Sequence, residues 1–162
     1  MSITCARLVG LRDYWLSLKG EKPFPSRNDM DPLDIPAILS SIALTDVFHS
    51  PLRFKYRLIG TGITDFAGRD ATGKWLDEEL YGDGLDAMLF SFRECVRLEE
   101  PVAVREHILF ADKDWLVVEV LLLPMGDPDK PIDMVMSAVE QVADSVAKPQ
   151  AGQRIKLDWR PS

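Results

Sequence analysis

Apolar residues recur at helical spacing near the start of the chain. Leu8, Leu11, Trp15 and Leu18 stand three and four positions apart, which predicts a helix over Ala6 to Lys19 with one apolar stripe. Gly20 ends it. A turn-rich link follows from Glu21 to Asn28, carrying Pro23 and Pro25. Asp31-Pro32-Leu33-Asp34-Ile35 then predicts a helix start running to about Ser40. Asp31 can accept hydrogen bonds from free amides, and Pro32 suits the first helical position.

The pattern then changes period. Ile42 to Phe48 predicts a strand, His49-Ser50-Pro51-Leu52 a turn, and Arg53 to Ile59 a second strand. In the second strand Phe54, Tyr56 and Leu58 alternate with Arg53, Lys55 and Arg57, so the two strands form an antiparallel hairpin. Gly60 to Gly84 is rich in glycine, aspartate and threonine and predicts short helical turns at Ile63–Ala67 and Trp75–Leu80. Leu85 to Glu99 is a longer amphipathic helix that Pro101 stops. Val102–Phe110, Trp115–Leu123 and Ile132–Val142 complete the strands, with Asp112-Lys113-Asp114 as one turn.

This order predicts an α+β domain: a five-stranded antiparallel sheet with helices on one face and an N-terminal helical extension. Residues 1–30 form the helix and linker, 31–142 the core, and 143–162 a polar tail. The Trp115–Leu123 strand is apolar on both sides, apart from Glu119. Both faces therefore need cover. The internal helices can cover one. The N-terminal helix, a partner subunit or both must cover the other, which marks Leu8, Leu11, Trp15, Leu18 and Trp115 as candidate interface residues.

Composition narrows the function. The 162 residues are 46% hydrophobic and 28% charged, enough to build a core in one domain. Net charge is −7, which works against nucleic-acid partners. Two cysteines far apart fit a reducing compartment. Arg7 and Arg12 interrupt any signal-like run, and no apolar stretch reaches the roughly 20 residues that cross a bilayer. These features predict a cytoplasmic protein without membrane insertion.

Several short motifs occur in a familiar order: Tyr14-Trp15, Pro25-Ser26-Arg27, Asp31-Pro32-Leu33-Asp34-Ile35, Phe54-Lys55-Tyr56-Arg57-Leu58-Ile59-Gly60-Thr61, and Gly68-Arg69-Asp70-Ala71-Thr72-Gly73-Lys74 before Leu76-Asp77. Together with the element order they resemble a bacterial family of small stand-alone PAS-like proteins, over roughly Arg12 to Val142. The resemblance implies a PAS fold and a sensory or signalling role. It implies a small molecule held between sheet and helices, or dimerisation and contact with a signalling protein. The ligand is left unspecified. Haem-binding relatives carry a histidine on the long helix, and Leu85–Glu99 has none. Photosensing flavin relatives use an Asn-Cys-Arg motif that is absent here, and Cys95 reads as a small buried hydrophobe.

Other motifs fall short of chemistry. Gly68 to Lys74 approaches a phosphate-binding loop, but Trp75 replaces the hydroxyl residue that would hold magnesium. Its glycines suit a turn with positive φ. Gly60-Thr61-Gly62 lacks the third glycine of a dinucleotide fingerprint. His49 and His107 have no metal-ligand spacing, and no nucleophile elbow occurs. The chain is therefore expected not to be an enzyme. Tyr56, Phe66, Trp75, Phe92, Arg105, His107, Met134 and Met136 are the candidate pocket residues, with plain core packing as the competing reading for each. Arg105, if turned inward, could pair with a carboxylate or phosphate. The leading expectation is a small-molecule sensor that relays through protein contacts; the alternative is a ligand-free dimerisation or scaffold domain.

Overall fold

The computed structural model describes residues 1–108 and 116–162. Helix α1 (Ala6–Lys19) leads, and Gly20 at φ 54° ends it, its amide donating to Leu16 O. Short 3-10 helices follow at Arg27–Asp29, Pro32–Asp34 and Pro36–Ser41. Strands β1 (Ile42–Phe48) and β2 (Arg53–Ile59) form a hairpin. Helices α2 (Thr61–Ala67), α3 (Glu78–Tyr81) and α4 (Leu85–Leu98) come next. Strands β3 (Val102–His107), β4 (Val117–Met125), β5 (Met134–Gln141) and β6 (Arg154–Leu157) complete an antiparallel sheet of order β2-β1-β5-β4-β3-β6.

The α+β architecture matches the sequence expectation, with three adjustments. The sheet has six strands, because the polar tail supplies β6 against β3. The single helix expected after Asp31 is split. Asp31 does cap Leu33 N at 3.0 Å, but Pro36 pushes Ile35 out of the helical region and the turn restarts. A β-bulge between Leu44 and Thr45 breaks the clean alternation of β2: Tyr56 pairs with Thr45 and Leu58 with Leu44, so Leu58 turns out to 49% exposure.

Register assigns the two faces. On the inner face, toward α4, lie Thr45, Val47, Phe54, Tyr56, Val104, Leu122 and Val135; the Phe54 and Phe92 rings meet at 5.4 Å. On the outer face lie Arg105, Glu119, Leu121, Leu123, Met134 and Met136. α1 covers that side. Leu8, Leu11 and Trp15 are buried, and Trp15 Nε1 donates to Pro124 O at 3.0 Å while its ring meets Trp159 edge-on. No helix among the described residues is long and apolar enough to cross a membrane.

Gly60 and Gly62 serve a close backbone approach. A Cβ on Gly60 would sit 2.3 Å from Ser40 O, so the chain leaves β2 pressed against the turn before β1.

Trp15 is the largest side chain holding α1 to the sheet. Replacing it with Ala is expected to cost about 3–5 kcal/mol in urea unfolding; a midpoint unchanged from the parent protein would show that α1 adds little to stability.

Candidate functional site

The inner face under α2–α4 carries polar groups among apolar ones. Tyr56 and Tyr81 touch hydroxyl to hydroxyl. Burial pushes the Tyr56 phenol well up, and the neighbouring Tyr81 adds to the rise; burial also raises Tyr81. Arg69 donates from Nη2 to Leu80 O at 2.8 Å and lies 5.7 Å from the Tyr81 ring centre. Thr45, beside Tyr56 in register, and Ser91, on α4, are both buried. Among the described residues neither the Thr45 Oγ1 nor the Ser91 Oγ has a hydrogen-bond partner. Ser137 is buried on the same sheet face, opposite Ala43.

Three of the eight residues expected in a pocket are here. Tyr56 meets Tyr81, Phe92 meets Phe54 across the layer, and Phe66 packs against Ile108, Leu116 and Val118. The other five are not. Trp75 bridges to Lys55 on the outer side of β2. Met134 and Met136 lie on the outer face with Leu123 and Met125. His107 also faces outward, with Nδ1 3.1 Å from Pro149 O. Arg105 is turned into the interior, but on the outer side, where its partner is Glu119.

That pair is densely hydrogen-bonded on the outer face. Arg105 Nε and Nη2 donate to Glu119 Oε2 at 3.0 and 2.8 Å. Glu119 also accepts from Thr4 N, Thr4 Oγ1 and Cys5 N, the last residues before α1. A sheet carboxylate thus satisfies free amides at the positive end of the helix. Arg105 Nη1 donates onward to Ala147 O at 2.9 Å. Burial beside Glu119 pushes the Cys5 thiol up to about 12, and burial pushes the Cys95 thiol up as well.

The expected interface residues need correcting for the same reason. Leu8, Leu11 and Trp15 are spent inside the chain on the α1–sheet contact, and Leu18 packs partly buried against the same core. Trp115 lies outside the described residues, as does the Asp112-Lys113-Asp114 turn.

The glycine motifs are turns. Gly68 caps α2 at φ 76° and Gly73 takes φ 79°. No helix starts at Gly73, and Asp70 Oδ1 accepts from Thr72 N and Oγ1 instead of leaving the loop open to phosphate.

A family model described as PAS domain matches residues 4–139, a span that takes in α1, strands β1 to β4 and most of β5. The chain belongs to the PAS domain family. That membership sets it among sensory and signalling domains. A solved structure, the sensory box sensor histidine kinase from Vibrio cholerae, is 16% identical, with 65% of this chain and 85% of that one covered at a TM-score of 0.46. No curated protein matches. The residues that sequence reasoning missed on the inner face, Thr45, Ser91 and Ser137, are lone hydroxyls in apolar runs. That interruption was their only signal.

Burial pushes the Glu119 carboxyl up, but hydrogen bonds from Thr4, Arg105 and Cys5 outweigh it and hold it below the ordinary glutamate value. A lowered native value means the unfolded chain takes the proton first. The stabilisation is therefore complete at neutral pH and is lost as pH falls from the ordinary carboxylate range through the lowered native value. Arg105→Met is expected to cost about 3–5 kcal/mol at neutral pH, because it strands a buried carboxylate. Glu119→Gln is expected to be less stable at neutral pH and to lose less stability on acidification than the parent. Parallel stability–pH curves for parent and Glu119→Gln would contradict this account.

Proposed function

We propose that this PAS domain is a sensor that takes a small molecule between its sheet and α2–α4 and relays the event through contact with another protein. One observation carries the reading: two buried hydroxyls, Thr45 Oγ1 and Ser91 Oγ, have no partner among the described residues. Buried polar groups are nearly always hydrogen-bonded, and an orphan costs about 1–3 kcal/mol, so each invites a polar guest. The Tyr56–Tyr81 pair and Ser137 add donors and acceptors, while Phe54, Phe66 and Phe92 offer apolar wall. A ligand with a hydrogen-bonding end and an apolar or aromatic body suits that lining.

On this reading the chain is a binding module and not an enzyme, working in the cytoplasm. Two free thiols held protonated by burial are in keeping with both points. Ligand binding would act as a population shift, favouring whichever arrangement of sheet and helices holds the guest better. A second reading, a ligand-free docking domain, is favoured by how much of the inner layer Phe54, Leu89, Phe92, Cys95, Leu122 and Val135 fill.

Native mass spectrometry of the chain purified from its source cells separates the two. The sensor reading expects a non-covalent added mass that the Thr45→Val/Ser91→Ala double variant fails to carry. Parent protein flying at its own chain mass would reject it in favour of the docking domain.

A further inference from the structure

α1 shields the outer face over β4 and β5, and among the described residues the far end of β1 and β2 keeps part of its surface open. There, on the outer side of β1 and β2, Phe48 and Trp75 bring their ring centres to 5.2 Å. The Arg53 guanidinium carbon stands 3.7 Å from the Trp75 ring centre, and Lys55 Nζ stands at 5.2 Å. Phe48 is 44% exposed, and Leu52 in the adjoining turn is exposed as well. Arg57, on the same strand, is already neutralised by Asp46 at 2.8 Å. Arg53 and Lys55 have no carboxylate partner among the described residues. Two unneutralised cations on an aromatic shelf stand out on a chain of net charge −7.

The geometry limits what such a shelf can hold. Stacking uses the flat face of the guanidinium and leaves its N–H edge free, so Arg53 can take a carboxylate while remaining on Trp75. Holding the cations on the ring beforehand lowers the ordering cost of binding. Strand addition is closed at this edge. Tyr56 N donates to Lys74 O, Gly73 N to Tyr56 O and Leu76 N to Phe54 O, so residues 73–76 line the otherwise free edge of β2. Recognition must therefore run through side chains. A phosphate polymer would meet the repulsion of the whole acidic chain beyond this small patch, whereas a short acidic segment need touch only the patch.

We propose that the Phe48–Trp75 shelf, with Arg53 and Lys55, docks an acidic segment of a partner protein that carries Asp or Glu beside an apolar side chain. This supplies the partner surface for the relay half of the proposed function and rests on that half alone. The test is fluorescence anisotropy on the full chain with three labelled probes: a peptide of Glu and Asp around a central Leu-Phe pair, its lysine counterpart, and an oligothymidine. The acidic peptide is expected to saturate, with an affinity that falls as salt rises. The lysine peptide and the oligonucleotide are expected to bind far more weakly. Arg53→Glu/Lys55→Glu and, separately, Trp75→Ala are expected to weaken the acidic peptide at least about tenfold while melting like the parent. The Thr45→Val/Ser91→Ala variant is expected to bind it as the parent does, which keeps failure of the shelf distinct from failure of the ligand site. Absence of saturable binding, equal binding by the charge-reversed variant, or preference for the oligonucleotide would overturn the proposal. So would sedimentation showing a dimer that Arg53→Glu/Lys55→Glu dissociates, since a second copy would then own the shelf.

Discussion

A sheet strand that is apolar on both sides cannot be left with one face in water, and β4 is such a strand. Its inner side is closed by α2–α4, its outer side by α1. The one polar residue among its apolar neighbours, Glu119, is what fixes α1 in place. Its carboxylate gathers five hydrogen bonds, from Thr4, Cys5 and Arg105. Those donors offset the cost of holding the charge in the interior. Position and chemistry are thus tied: the helix that supplies the apolar cover also supplies the amides that make the buried carboxylate acceptable.

This arrangement shows what the sequence could and could not reveal. The period of Leu8, Leu11 and Trp15 gave the α1 limits that the structure has, and β1 and β2 likewise match their expected spans. Period alone does not give phase. In β3, β4 and β5 both faces are buried, so nothing in the apolar pattern says which alternate set looks toward α4. Met134, Met136, Arg105 and His107 fell on the other side for that reason. β6 was invisible because Arg154-Ile155-Lys156-Leu157 is short and half polar; its pairing with β3 is decided by tertiary contact. The bulge at Leu44/Thr45 was equally hidden, since it depends on register.

The two faces of the sheet now have different characters. The inner face holds hydroxyls amid aromatic rings. The outer face is divided between a region locked under α1 and a partly exposed cluster of rings and cations at β1 and β2. Both regions share β1 and β2: Thr45 and Tyr56 look inward from the strands that carry Phe48, Arg53 and Lys55 outward. A guest that altered the twist or spacing of this hairpin would be felt on both sides of it, without any signal needing to cross the locked region.

The chain ends carry a mechanical consequence. Ser2 bridges Asp158 in parallel sense, Asp158 N donates to Met1 O, and Arg12 reaches Trp159 O. Neighbouring segments that run the same way, one leaving by its first residue and the other by its last, exit in opposite directions. Tension applied between the two ends therefore loads these links sideways and together, instead of unzipping them in turn. The fold is built to resist a pull along that edge more firmly than a peel away from it.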